Sequence, residues 1–153
     1  MISMENIYLD IEAQDYREVL QRIGGLLQDK GYVKDSYTQA LLTREELSPT
    51  GLPLTPWSIA IPHAEPEHVI TPCIIVFQLK KLVLFKEMAN PANQVPVKYV
   101  FGLVFTDGKK HLQLLADIIA LSQDEQVMQA LYQSTSKKEI FDELSSHLLK
   151  EEE

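Results

Sequence analysis

Two apolar runs, 73-CIIVFQLK-80 and 97-VKYVFGLVF-105, decide the architecture. β-Branched and aromatic residues dominate both, which favours extended backbone over helix. The apolar residues are nearly continuous rather than alternating, the pattern of central strands covered on both faces. A third run, 57-WSIAI-61, has the same character. Beyond Lys80 and Lys81, 82-LVLF-85 reads as a short additional strand, and 86-KEMANPANQVP-96 as a loop.

Outward from these runs the period changes to that of helices. In 15-DYREVLQRIGGLLQDKGY-32, Tyr16, Val19, Leu20, Ile23, Leu26 and Leu27 recur at helical spacing. Asp15 is the N-cap and Gly31 the terminator, while Gly24 and Gly25 weaken the middle. A second helix, 35-DSYTQALLTREEL-47, is capped by Asp35 or Ser36, and 48-SPTGLPLTP-56 is a loop. After the strands, 111-HLQLLADIIALS-122 carries Leu112, Leu115, Ile118 and Ile119 on one stripe. Val127, Met128 and Leu131 form the stripe of 124-DEQVMQALYQS-134, and a capping box from Ser136 to Glu139 opens the last helix. Helices, then strands, then helices around a sheet buried on both faces predict an α/β fold. We expect a three-layer single domain over residues 1–153, with a mixed, mostly parallel sheet flanked by helices and a solvated acidic tail at about 149–153.

Composition narrows the function. The chain has 153 residues, 45% of them hydrophobic and 24% charged, as in ordinary globular domains. A formal charge of −8 repels phosphate backbones, so nucleic acid is not the expected partner. No apolar stretch reaches membrane-spanning length and the N-terminus lacks a signal-peptide pattern, so no membrane insertion and a cytoplasmic location are expected. The single cysteine, Cys73, excludes an internal disulfide framework and reads as a small core residue.

The chemistry concentrates in 57-WSIAIPHAEPEHVI-70. A strand ends on Pro62 and His63 follows at once, with Glu65, Glu67 and His68 close behind. Two more residues are out of the ordinary. His111 falls at the start of a helix just after 105-FTDGKK-110, where unpaired amides and the helix dipole disfavour a protonated ring and welcome an anion. Arg44 shares a helical stripe with Tyr37, Ala40 and Leu41, so it turns inward and needs an anionic partner. That partner is either a carboxylate such as Glu45 or Glu46, or a phosphoryl group matched to the guanidinium fork. His147 reads as a surface residue. Prolines around His63 and His68 rule out the helical two-histidine zinc motif, so no metal is expected. Glycine-rich phosphate loops, G-x-S-x-G elbows and dinucleotide fingerprints are missing, which removes the best evidence for nucleotide binding or serine hydrolysis. A histidine-based phosphoester hydrolase lacks a visible general-acid pair.

In combination, 43-TREELSPTGL-52, 59-IAIPHAEPEHV-69 and 111-HLQLLADIIALSQDEQVMQAL-131 resemble the enzyme IIA domain of the fructose–mannitol class of the bacterial sugar phosphotransferase system. The likeness runs over roughly residues 5–148. It implies a phosphotransferase in which a histidine accepts a phosphoryl group from the carrier HPr and passes it to an enzyme IIB, near a membrane IIC component. By position, the resemblance makes His63 the phosphoryl acceptor, held exposed at the sheet edge by Pro62. It makes His111 the supporting donor and Arg44 the phosphoryl-stabilising cation, with no cofactor. Glu65 and Glu67 would shape the partner surface or orient a ring. Within the class, 62-PHAEPEHV-69 and 88-MANPANQVPVKYVFGL-103 look most like galactitol-type members, which points to a hexitol over fructose. A stand-alone chain of this length also resembles nitrogen-related regulatory members, whose phosphorylation controls protein partners. Two departures, 52-LPLTPWS-58 before the histidine and 79-LKKLVLF-85, bear on substrate specificity more than on phosphoryl transfer.

Overall fold

Successive residues of the first apolar run pack into different cores. Ile75 and Phe77 join a cluster with Val19, Leu20, Ile23, Tyr37 and Leu41, whereas Ile74 and Val76 join one with Ile118, Met128, Leu131 and Ile140. This is the physical reason for the continuous hydrophobicity: a pleated strand exposes alternate side chains to opposite faces, and here both faces are covered. In a computed structural model that describes residues 2–55 and 57–148, five strands form one sheet in the order β1-β4-β5-β3-β2. They are β1 (Ile7–Ile11), β2 (Gly51–Leu52), β3 (Ser58–Ala60), β4 (Cys73–Lys86) and β5 (Gln94–Val104). Helices α1 (Tyr16–Asp29) and α2 (Tyr37–Leu47) cover one face. Helices α3 (Gly108–Ser122), α4 (Glu125–Gln133) and α5 (Lys137–Ser145) cover the other. The three-layer α/β arrangement is the expected one. The acidic tail at 149–153 lies outside the described residues.

Several details differ from the sequence reading. The sheet is mixed but evenly so: β1–β4 and β3–β5 are parallel, β4–β5 and β2–β3 antiparallel. The reason is the short link of residues 87–93, which can close only a hairpin, since a parallel return needs a crossover of a dozen or more residues. The 82-LVLF-85 segment is the far half of β4, beyond a register shift between Gln78 and Val83 where Lys80, Lys81 and Leu82 stand exposed. The sequence reading has no strand at β1, a five-residue edge strand interrupted by the positive φ of Asp10, and takes β2 for loop. At β2, Gly51 lets the backbone lie against the hairpin, because a Cβ there would stand 2.6 Å from the Lys86 carbonyl oxygen.

The inward stripe of α3 is His111, Leu114, Ile118 and Leu121, while Leu112 is 66% exposed. Leucines and isoleucines lie on two adjoining stripes of this helix, so periodicity alone does not choose between them. The caps are borne out in part: Asp15 accepts from the Glu18 amide and Ser136 from that of Glu139. The Glu139 carboxylate, however, takes the Thr135 amide and not that of Ser136, and Ser36, the N-cap of α2, makes no side-chain cap bond. Cys73 is buried and free, its thiol pushed up to about 12 by burial. Among the described residues no helix is long and apolar enough to cross a membrane.

The two glycines of α1 turn out to be unlike. A Cβ on Gly24 would meet Thr38 Oγ1 of α2 at 2.0 Å, whereas Gly25 faces open space. Gly24 therefore sets how closely α2, the helix of Arg44, approaches α1. Gly25→Ala should raise stability by about 0.5–1 kcal/mol through helix propensity. Gly24→Ala should lower it by about 1–3 kcal/mol despite the same propensity gain, because α2 must move. Thermal melts of the two variants check this opposite sign.

Candidate functional site

Pro62 and His63 leave β3 but stay beside β5. The Leu103 amide donates to the Pro62 carbonyl at 3.1 Å, and His63 bridges to Leu103 in parallel register. Two residues beyond Leu103, β5 gives way to Phe105 and then to α3, whose N-cap Asp107 brings His111 into its first turns. The chain thus carries both histidines to the same end of the sheet, where their rings lie 4.7 Å apart, centroid to centroid. Phe105 stacks on His111 at 3.7 Å and 17°, fixing that ring from behind. Sequence reasoning passes over Phe105; an aromatic residue between a core strand and a helix cap is the signal it leaves.

The tautomer of His63 follows from its partner. Nδ1 lies 2.9 Å from the Ile61 carbonyl oxygen, which can only accept, so in the neutral ring Nδ1 carries the proton and Nε2 the free lone pair. His63 is half-buried, not exposed as expected, because β3 is an interior strand flanked by β5 and β2. Burial lowers its pKa; the Ile61 carbonyl opposes this, Arg44 adds to it, and Glu65 opposes it. The His111 pKa is lowered to about 4, first by burial, then by His63 and Arg44. Both rings are therefore neutral near pH 7. Nδ1 of His111 is buried and has no hydrogen-bond partner.

Three first-turn amides of α3 are not free donors, and that of His111 itself goes to the Asp107 carbonyl oxygen. Those of Lys109 and Lys110 are taken by the Asp107 carboxylate, as the N-cap requires. The cation whose charge reaches both rings is Arg44, but it is only half-buried: the stripe that α2 turns inward is Tyr37, Leu41 and Glu45, not the one through Ala40 and Arg44. Neither of its neighbours is its partner. Glu45 is buried and accepts from the amide and hydroxyl of Thr50, and Glu46 pairs with Arg17, Lys86 and the Tyr16 hydroxyl. Arg44 instead donates from Nη1 to Glu65 Oε2 at 2.8 Å, while its Nε is buried and unpartnered.

The segment after His63 is laced to α2 at both ends. Besides the Arg44–Glu65 pair, His68 Nδ1 meets Ser36 Oγ at 2.7 Å and the Lys34 amide donates to the His68 carbonyl. His68 therefore anchors the 3-10 turn Pro66–His68 instead of joining the two rings. Glu67 points to solvent, within 3.7 Å of His68 Nε2. An open groove of about 490 Å³ runs alongside, lined by Ser36, Thr43, Arg44, Leu47, Glu65 and His68 among others; neither His63 nor His111 lines it. His147 lies apart on the C-terminal segment, near Glu143.

The pH response follows from the neutral rings. In the unfolded chain His111 takes a proton below its ordinary value of 6.5, whereas in the fold it resists until about 4. Acid therefore favours the unfolded chain, and the stability that neutral His111 contributes is full above pH 6.5 and lost as pH falls towards 4. Denaturant unfolding between those pH values should show a positive slope of stability with pH. His111→Gln should flatten that slope.

Known proteins bear on this arrangement. Residues 1–147 match the family described as "Phosphoenolpyruvate-dependent sugar phosphotransferase system, EIIA 2". The chain is 33% identical over 142 residues to the PTS system galactitol-specific EIIA component of Escherichia coli (strain K12), covering 90% of this chain and 94% of that one. The fold is similar to the crystal structure of IIA mannitol from Escherichia coli, with a TM-score of 0.76, 29% identity and coverage of 94% and 99%. It is also similar to the complex of enzyme IIA-Mtl with phosphorylated enzyme IIB-Mtl from Escherichia coli, with a TM-score of 0.78, 28% identity and coverage of 95% and 99%. With a match that spans nearly the whole chain, the protein belongs to the EIIA 2 family and is a phosphoryl-transferring component of the sugar phosphotransferase system.

Proposed function

We propose that His63 is the phosphoryl acceptor, taking the group from phospho-HPr and passing it to an enzyme IIB of a hexitol uptake system of the galactitol type. The observation that carries this reading is the paired, neutral His63 and His111 rings, with His63 Nδ1 tied to Ile61 and Nε2 left as the nucleophile. The lone pair of Nε2 forms a bond to phosphorus while the bond to the donor's leaving atom breaks and its electron pair stays with the donor. The proton stays on Nδ1, donated to the Ile61 carbonyl oxygen throughout, so no base is needed. Charge spreads over the phosphoryl oxygens, and catalysis is positioning plus cationic donors. Arg44, whose Nε lacks a partner, supplies the cation, and the His111 ring supports the transferred group. The galactitol-specific relative supports the sugar class, and the similar IIA–IIB complex supports the acceptor. Those sugar-specific relatives favour transport over the regulatory alternative.

With phosphoenolpyruvate, enzyme I and HPr, labelled phosphate should reach the wild-type protein and be absent from His63→Ala, whose melt should stay close to wild type. Label that persists on His63→Ala and vanishes on His111→Ala rejects the assignment. Arg44→Lys keeps the charge but loses the fork, and should melt near wild type while transferring roughly 100-fold more slowly. A large loss of stability with unchanged transfer in that variant places Arg44 in the core and not in the site.

A further inference from the structure

We propose that Glu65 is a stand-in for the phosphoryl group: it occupies Arg44 in the unphosphorylated protein, yields that guanidinium to the phosphoryl group, and takes it back on transfer. The inference rests on the reading of His63 as the acceptor.

Three observations support it. The carboxylate is placed by design of the chain: Glu65 is two residues from His63, and the turn Pro66–His68 behind it is tied to α2 through Ser36 and Lys34. Its partner is equally placed, because buried Tyr37 and Leu41 seat α2 in the core and Arg44, on the same helix, reaches the segment after His63. Next, the pair leaves Arg44 incompletely used. Nη1 donates to Glu65 at 2.8 Å, yet Nε is buried with no partner, so the guanidinium is held in place without being saturated. Finally, the charges of Arg44 and Glu65 both register at the His63 ring with opposite effect, so a phosphoryl group on that ring enters the field of both.

The competition is then one-sided. The ion pair is partly exposed, with side chains 35% and 47% accessible, and such pairs hold weakly. A phosphoryl group carries more charge and three acceptor oxygens, and matches the guanidinium fork. It takes Arg44, and the released carboxylate is left beside a like charge. That repulsion limits how far the site stabilises phosphohistidine, which a carrier needs if it is to give the group away. Glu65 is a positioning residue here; it touches Arg44 and not the reacting atoms.

The test uses Glu65→Gln, Glu65→Ala and the charge-preserving Glu65→Asp, with melts to show that each is folded. Inorganic phosphate is titrated into the unphosphorylated proteins while ring-proton NMR signals of His63 and His111 are followed. Separately, label is allowed to equilibrate between phospho-HPr and each protein. Loss of the carboxylate should tighten phosphate binding by about tenfold and shift the label towards the protein by a similar factor, the scale of one like-charge contact at a partly exposed site. Onward transfer to IIB should slow in Gln and Ala, and Asp should restore wild-type behaviour. Phosphate affinity and label partition within a factor of two of wild type in both Gln and Ala would overturn the proposal, as would weaker phosphate binding. If wild type takes no label on His63, the acceptor reading fails, and the phosphate titration still judges Glu65 by itself.

Discussion

The hydrogen bond from the Leu103 amide to the Pro62 carbonyl is the constraint on which the site depends. Proline ends β3 because it has no N–H to donate, but its carbonyl remains available to the neighbouring strand. The last residues before His63 therefore stay in register with β5, and β5 runs directly into Phe105, Asp107 and α3. Two histidines 48 positions apart in the chain, His63 and His111, meet because their strands are parallel neighbours that end together.

Burial then sets the chemistry. Desolvation is the largest cause of the lowered pKa at both His63 and His111, and Arg44 adds to it at each. A cation beside two imidazoles keeps both from protonating and so preserves the lone pair that a phosphoryl acceptor needs. The cost falls on groups that remain unsatisfied: Arg44 Nε and His111 Nδ1 are among the few buried side-chain nitrogens and oxygens without a partner among the described residues. Buried polar atoms are ordinarily paired, and two of the exceptions fall on residues proposed to hold the phosphoryl group.

Around this centre the scaffold is conventional. Glu45 ties the end of α2 to Thr50, Glu46 ties it to α1 and β4, and His68 ties its beginning to the turn after His63. These contacts make α2 and the turn one body, with Arg44 and Glu65 facing each other across it.

The sequence by itself determined the layers and most of the elements, because near-continuous apolar strands and helical stripes are local consequences of what each face touches. It also singled out His63, Arg44 and His111, through a proline that stops a strand, an arginine on an apolar stripe and a histidine at a helix start. Pairing geometry was not legible to the same degree. The two antiparallel pairings follow from connection length and edge position, β1 and β2 are too short to carry a pattern, and α3 offered two equally apolar stripes. Only the tertiary structure decided that Arg44 pairs with Glu65 and not with its neighbours, that Phe105 backs His111, and that His63 is half-buried just past an interior strand. Those are distances between residues far apart in sequence, fixed by how the strands are ordered in the sheet, and no local pattern of side chains encodes them.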